Sequence, residues 1–225
     1  MEYKDSDECN TEKSKAICQP DEKDDSCEEA FKDAVKKLLN VKESESIDYF
    51  DHLETMLENK KFKIDSSSFV SSGVVETLVK ILFENTSDIH SKALSLLRTL
   101  SNYKDVAQFL NQEKIINYLI NFALDFNNSM EDICYDFYIL KKIVPFLTDE
   151  NVVNSFPVEE FSGLDLRTAP ITFFTELLIH HPDSILFDRI ILYFNRYTPF
   201  ISRTVHLAET FLKAVIPKHP EKNYA

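Results

Sequence analysis

The sequence predicts an all-α protein, built as a right-handed solenoid of stacked helical repeats. Three observations support this fold class. Apolar residues recur every three to four positions through most of residues 28–216, which is the period of an amphipathic helix. The 225 residues include only two glycines, too few for the many tight turns of a β-sandwich. The middle of the chain also repeats itself after about 41 residues.

The N-terminal segment differs in composition from the rest of the chain. Residues 1–30 contain eleven Asp and Glu and four Lys, so 11 − 4 accounts for seven of the net −13 charges. A segment this charged cannot bury enough apolar surface to fold. We therefore predict a disordered acidic tail at residues 1–27 and a helical repeat domain at residues 28–225. The acidic balance and the lack of a basic run argue against a nucleic-acid partner.

The sequence also carries information about the cellular compartment. The first residues lack the apolar stretch of a secretory signal, and no apolar run of about 20 residues could span a membrane. We therefore expect a cytoplasmic protein, with the nucleus as an alternative, and no membrane partner. No pair among the four cysteines has the CxxC spacing of a zinc site, so free thiols are expected. They are Cys9, Cys18, Cys27 and Cys134.

The helical segments follow one another in chain order. EEAFKDAVKKLLNV and SIDYFDHLETMLENKKF each place their apolar residues on one helix face, and a polar corner near Glu43 to Glu45 separates them. A serine-rich corner at residues 66–72 comes next, because serine favours turns and helix caps. Four more segments then show the helical period: GVVETLVKIL, SKALSLLRTLSN, KIINYLINFA and EDICYDFYILKKIV.

An internal repeat connects these segments. GVVETLVKIL (73–82) matches KIINYLINFA (114–123) at an offset of 114 − 73 = 41 residues. The same offset leads from Ala93 to Cys134, another small residue. A period near 40–47 residues is typical of armadillo and HEAT repeats, in which each unit buries its apolar face only against its neighbours. A small residue at position 93 would let adjacent helices approach closely.

The C-terminal part is less regular. Pro157, Gly163 and Pro170 indicate a corner in FPVEEFSGLDLRTAP. TFFTELLIHHPDSILFDRIILYFNRY predicts two helices divided at Pro182, and TPFISRTVHLAETFLKAV predicts the last helix. The shorter spacing is what an atypical capping repeat would show.

No enzyme or metal motif is present. Gly73 and Gly163 cannot form a GxGxxG fingerprint, a Walker A loop or a GxSxG elbow. Glu176 and His180 lie four residues apart and could supply two metal ligands. No partner motif is repeated elsewhere, and a surface Glu–His pair at a helix end is the simpler interpretation. We therefore expect a protein without catalytic activity, cofactor or metal.

The polar side of the repeated helices is the candidate binding site. In solenoids the last helix of each repeat lines a concave face, and concave faces bind proteins. The sequence predicts a mixed, mildly acidic groove for a protein partner, although simple exposure to water accounts for the same polar residues equally well. The candidate residues are Ser91, Ser95, Arg98, Asn102, Tyr103, Asp132, Asp136, Tyr138, Lys142, Glu176 and His180.

GVVETLVKIL followed by SKALSLLRTLSN resembles armadillo repeats, in which a Gly opens the second-helix segment and an Ala-Leu pair begins the third. With AFKDAVKKLL and YFDHLETMLENKKFKIDSSSFVSS upstream, the chain is similar to the armadillo-type nucleotide exchange factors of 70-kDa heat-shock chaperones. The resemblance covers about residues 29–125. After residue 145 only the helical pattern agrees, and the acidic tail departs from that family.

The resemblance implies a function. A concave face would embrace one lobe of the nucleotide-binding domain of a cytosolic 70-kDa chaperone. ADP would leave faster because the factor would bind the open, nucleotide-free state more tightly than the closed one. The alternative is an armadillo or HEAT-type scaffold or adaptor, which belongs to a larger assembly and has no exchange activity.

Overall fold

The computed structural model describes residues 25–40, 43–58, 65–84, 87–125, 127–163, 169–181 and 185–197. Within these ranges the chain forms α-helices and two short 3-10 helices, and no strand. The all-α class is therefore confirmed. Most of the predicted tail, residues 1–24, and the last predicted helix, from Thr198, lie outside the described residues.

Eleven α-helices are found in the described part of the chain. In order they are α1 (Asp25–Asn40), α2 (Glu43–Glu58), α3 (Ser66–Ser71), α4 (Val74–Glu84), α5 (Ser87–Leu100), α6 (Lys104–Leu110), α7 (Glu113–Leu124), α8 (Met130–Ile143), α9 (Glu150–Asn154), α10 (Ala169–His180) and α11 (Phe187–Tyr197). Because α1 begins at Asp25, residues 25–27 belong to a helix and not to the tail in which the sequence analysis placed them.

The helices follow one arrangement twice. A short helix, a middle helix and a long helix succeed one another as α3, α4 and α5, and again as α6, α7 and α8. The long helices are neighbours: α2 contacts α5, α5 contacts α8, and α8 contacts α10. The short helices α3 and α6 also touch each other. Each unit therefore packs against the corresponding helices of the next one.

A single apolar core runs through these contacts. On α5, Ala93, Leu94, Leu97 and Leu100 are all fully buried, as the sequence predicts. Burying one leucine side chain contributes about 1.5–3 kcal/mol. The alanine adds little area itself, but its small size permits close approach of a neighbouring helix. The core is thus continuous from α1 to α11 in the described residues.

Gly73 forms the corner between α3 and α4. Its φ of +79° lies in the left-handed region, which residues with a Cβ adopt only at a cost. The amide of Gly73 donates to Val70 O at 3.1 Å, and its own carbonyl accepts from the Thr77 amide at 3.0 Å. The same residue therefore ends one helix and begins the next.

The chain changes its packing after α8. Pro145 lacks an N–H and lies in the 3-10 helix Val144–Phe146, where the hydrogen bonding of α8 ends. Another 3-10 helix, Glu160–Gly163, follows the short α9. Aromatic rings fill the space between α8, α10 and this region, and several pairs meet edge to face. The contacting residues are Phe137, Phe156, Phe161, Phe173, Phe174 and Tyr193.

None of the helices in the described ranges has both the length and the apolar character needed to cross a lipid bilayer.

Candidate functional site

Hydrogen bonds between neighbouring long helices join residues that are 41 positions apart in the sequence. The chain separation in three of these hydrogen bonds equals the offset of 41 residues read from the sequence. In each pair a side chain of α5 donates to a carboxylate of α2 or α8. The pairs are Lys92 Nζ–Asp51 Oδ1 at 2.5 Å, Ser95 Oγ–Glu54 Oε1 at 3.1 Å and Ser91 Oγ–Asp132 Oδ2 at 2.8 Å.

These pairs belong to a larger polar surface that follows the long helices. We define it as the ladder face, with members on α2, on α5 and the turn after it, on α8 and on α10. Its members are Asp51, Glu54, Ser91, Lys92, Ser95, Arg98, Asn102, Asp132, Tyr135, Tyr138, Lys141, Lys142, Glu176 and His180. Nine of the eleven predicted site residues are among them. With four acidic and four basic members besides histidine, the ladder face is balanced in charge, whereas the groove predicted from the sequence, which included Asp136, was mildly acidic.

Arg98 occupies the middle of the ladder face, between two tyrosines of α8. The carbon of its guanidinium lies 4.8 Å from the ring centroid of Tyr135 and 5.7 Å from that of Tyr138. The Tyr138 hydroxyl donates to Asn102 Oδ1 at 2.7 Å, and Lys142 Nζ lies 5.1 Å from the Tyr138 ring centroid. Cation–π contacts at partly exposed sites contribute about 0.5–1 kcal/mol each. Among the described residues, the contacts that this cluster makes with its two cations are therefore with tyrosine rings.

The Tyr135 hydroxyl donates a hydrogen bond to Glu131, one helical turn earlier on α8. That hydrogen bond raises the pKa of Tyr135, with a smaller contribution from partial burial, while the charge of Arg98 acts in the opposite direction. The phenol therefore stays neutral near pH 7, and its ring remains a face on which a guanidinium can stack.

The last contacts of the ladder face join α8 to α10. Lys141 Nζ lies 3.5 Å from Glu176 Oε1, and His180 Nε2 lies 3.7 Å from Glu176 Oε2. Glu176 and His180 are thus a surface pair near the end of α10, as the simpler interpretation of the sequence predicts. Across the ranges that the structure describes, no three His, Cys, Asp or Glu side chains come close enough together to hold a metal ion.

Asp136 does not lie on an accessible surface, which corrects the prediction that it lines the groove. Its side chain is fully buried, and both carboxylate oxygens lack a hydrogen-bond partner in the described structure. Burial raises the pKa of Asp136 well above its ordinary value. The residue follows Asp132 by one turn, so both lie toward the inside of α8, but only Asp132 meets a donor from α5.

Tyr103 also differs from its predicted role. Its ring packs against the buried Phe69, with centroids 4.6 Å apart, at the contact between α3 and the start of α6. The side chain therefore contributes to packing between α3 and α6, and the ladder face does not include it.

Five members of the ladder face were absent from the sequence-based list. Asp51 and Glu54 could have been found by subtracting 41 from Lys92 and Ser95, because the offset that relates α5 to α8 also relates α2 to α5. The position of Tyr135 beside Arg98 gives no comparable signal in the sequence. The members missed were Asp51, Glu54, Lys92, Tyr135 and Lys141.

Comparisons with protein-family models, with curated proteins and with solved structures found no match to this chain.

Proposed function

We propose that this protein is a non-enzymatic binding protein, a right-handed armadillo-like solenoid that holds a protein partner on its ladder face. The observation that carries the proposal is the cluster of Arg98, Tyr135, Tyr138 and Lys142. Tyrosine and arginine are enriched among the residues that dominate the binding energy of protein interfaces. The cluster lies at the centre of the stack, between α5 and α8.

The charges of the cluster favour a partner with acidic side chains. Lys92 and Lys141 already face carboxylates on neighbouring helices. Arg98 and Lys142, by contrast, have only tyrosine rings as charge-stabilising contacts among the described residues. Their N–H groups can therefore donate to a carboxylate of a partner without breaking an ion pair that joins them to another described residue. Such charge-assisted hydrogen bonds are about twice as strong as neutral ones.

The partner that the sequence resemblance favours is the nucleotide-binding domain of a cytosolic 70-kDa heat-shock chaperone. Support comes from the similarity over residues 29–125 and from the pairing of long helices at the repeat period. In this proposal the protein binds the nucleotide-free chaperone more tightly than the ADP-bound form. A tenfold preference corresponds to about 1.4 kcal/mol of coupling, and it accelerates ADP release.

The second candidate is an adaptor that holds a partner without changing its nucleotide affinity. The aromatic cluster after residue 145 favours it, because the resemblance to exchange factors ends there and the regular triplet of helices is replaced. An adaptor would have equal affinity for both nucleotide states of any partner, since it makes no differential contact.

Calorimetric titration with the chaperone in its nucleotide-free and ADP-bound states distinguishes these candidates. The exchange-factor proposal expects at least a tenfold tighter complex with the nucleotide-free state. Replacing Arg98 and Lys142 by alanine should weaken that complex about tenfold or more. Lys80→Ala serves as a matched control, because Lys80 is an exposed lysine of α4 paired with Glu76. Equal affinities support the adaptor, and no binding to either state contradicts the chaperone as the partner.

A further inference from the structure

A cavity of about 470 Å³ opens where the end of α7, the turn after it and the start of α8 meet the first half of α5. Its size falls within the range of sites that bind small molecules or single side chains. Ser91 and Asp132 of the ladder face contribute to its wall, but most of its lining is separate. The lining residues are His90, Ser91, Tyr118, Asn121, Phe122, Asp125, Asn127, Asn128, Ser129 and Asp132.

The lining has the charge pattern of a site for a cation. Two carboxylates, Asp125 and Asp132, face the cavity, and no lysine or arginine is among its described lining residues. Asn127 donates to Asp125 Oδ1 through its backbone and side-chain nitrogens at 3.0 and 2.9 Å. The Ser91 hydroxyl donates to Asp132 Oδ2 at 2.8 Å. Both carboxylates are therefore held in place by neutral donors, and their negative charge is not neutralised.

The inner wall is aromatic and uncharged. The His90 ring stacks on Phe122 with centroids 4.8 Å apart, and His90 Nε2 lies 2.8 Å from the Tyr118 hydroxyl. Burial lowers the pKa of His90, although the Asp132 carboxylate partly opposes this, and burial raises the pKa of Tyr118 to about 12. Both groups are therefore neutral near pH 7. The wall adds flat ring surface to the site without adding positive charge.

Asp136 is a third carboxyl group near this wall, although it does not line the cavity. It is fully buried, neither of its oxygens has a hydrogen-bond partner in the described part of the chain, and it acts electrostatically on the Tyr118 hydroxyl. An unpaired carboxyl group in the interior destabilises a fold, and such groups concentrate at functional sites.

The residues that line the cavity suit an organic cation better than a metal ion. The part of the chain that the structure describes contains no trio of metal-binding side chains, and the cavity is much larger than one ion. A guanidinium group suits the lining best. It is planar, stacks on aromatic rings and donates in a fixed fork to carboxylates, whereas an ammonium group is compact and strongly hydrated. Asn121 and Asn128 also line the cavity, and a side-chain amide oxygen is an acceptor for a guanidinium group.

We propose that this cavity binds a guanidinium group, with Asp125 and Asp132 as its charged partners and the rings of Phe122 and Tyr118 along its plane or stem. The group could be an arginine side chain of a protein partner or belong to a free guanidinium compound. This proposal depends neither on the cluster of Arg98, Tyr135, Tyr138 and Lys142 nor on the chaperone as partner. The guanidinium site and the proposed function can therefore fail independently.

The test is a nuclear magnetic resonance titration of the full chain with N-acetyl-arginine amide, followed through the side-chain amide signals of Asn121, Asn127 and Asn128. The expected result is a saturable shift of these signals. N-acetyl-citrulline amide, which has nearly the same shape but no charge, should bind at least about tenfold more weakly. Equal binding of the two compounds, or a lack of saturation by the arginine compound, would overturn the proposal.

Variants check where the compound binds. Asp132→Asn should weaken binding at least about tenfold, and so should Asp125→Asn, which does not disturb the Ser91 contact. Glu113→Gln removes an exposed charge from the other end of α7 and should leave the affinity unchanged. Unaltered affinity in both aspartate variants would overturn the assignment to this cavity.

A neutral peptide of about eight residues with one arginine identifies the source of the guanidinium group. If the peptide saturates the same three signals at a lower concentration than N-acetyl-arginine amide does, that result supports an arginine of a protein partner. Saturation at the same or a higher concentration supports a free compound, because flanking peptide then adds nothing to the affinity.

Discussion

Ser91 and Asp132 are 41 residues apart in the sequence, and the Ser91 hydroxyl donates a hydrogen bond of 2.8 Å to the Asp132 carboxylate. The pair joins α5 to α8, so it connects two successive units of the stack. It also lies where the ladder face meets the cavity. One contact therefore relates the repeat in the sequence to both proposed binding regions.

Removing this hydrogen bond should reduce stability. We expect Ser91→Ala to lower the free energy of unfolding by about 1–3 kcal/mol, because the largely buried Asp132 carboxylate loses a donor. Urea denaturation measures the change. Ser155→Ala is the control, since the exposed Ser155 hydroxyl bonds only to a carbonyl in its own turn, and its effect should stay within about 0.5 kcal/mol. Equal effects of the two substitutions would show that the hydrogen bond from Ser91 to Asp132 adds no more stability than a local surface hydrogen bond.

Asp136 should make the protein less stable as the pH rises. Burial raises its pKa in the folded state, so above its ordinary pKa of 3.8 the unfolded chain loses a proton that the folded chain retains. Stability contributed by this group is therefore lost with rising pH, at up to about 1.4 kcal/mol per pH unit in the affected window.

The variant Asp136→Asn removes this titration. From pH 4 to pH 7, the free energy of unfolding of the unaltered protein should fall relative to that of the variant. Denaturation at several pH values measures this difference. Asp188→Asn, an exposed position on α11, should show no such trend. A difference between Asp136→Asn and the unaltered protein that stays constant with pH would contradict the burial of an unpaired carboxyl group.

His90 should have the opposite dependence on pH. Burial lowers its pKa in the folded state below the ordinary 6.5, so the unfolded chain takes up a proton first as the pH falls. Stability should therefore decrease from about pH 6.5 downward, by up to about 1.4 kcal/mol per pH unit. The groups that face His90 are the Tyr118 hydroxyl and the Asp132 carboxylate, and the carboxylate reduces the effect without reversing it.

His90→Gln should be less sensitive to acid than the unaltered protein over pH 5–7. The exposed His180 provides the control, and His180→Gln should leave the acid sensitivity in place. If only His180→Gln lost the acid sensitivity, the assignment of this effect to His90 would be wrong.

Gly73 should tolerate few substitutions, and for a conformational reason. No atom lies within 4 Å of the place where a Cβ would be, so space is not the limit. A left-handed conformation costs a residue with a Cβ about 1–2 kcal/mol. Thermal or urea denaturation should therefore show this loss for Gly73→Ala and a smaller one for Gly73→Asn, because asparagine tolerates positive φ better. Equal losses would indicate steric conflict instead.

Much of the fold could be predicted because it depends on regular patterns. The helical period located the long helices, and the offset of 41 residues makes Asp132 equivalent to Ser91, with which the structure shows a hydrogen bond. A pattern of this kind reports which residues are equivalent. It does not report how deeply each one is covered by the layers around it.

Asp136 illustrates the limit. It is equivalent to Ser95 by the same offset, since 95 + 41 = 136, yet Ser95 is partly exposed and Asp136 is fully buried. Coverage by the neighbouring helices decides this difference, and it depends on side chains far away in the sequence. The aromatic packing after Pro145 was equally unpredictable, because ring contacts such as that of Phe156 with Phe173 follow no period.

The rate of ADP release from a cytosolic 70-kDa chaperone preloaded with fluorescent ADP tests the central claim most directly. The account predicts faster release on addition of the full chain, a loss of most of that acceleration with Arg98→Ala, and full activity with Lys80→Ala. Unchanged release in the presence of the protein, at concentrations that saturate any complex, would contradict the exchange function.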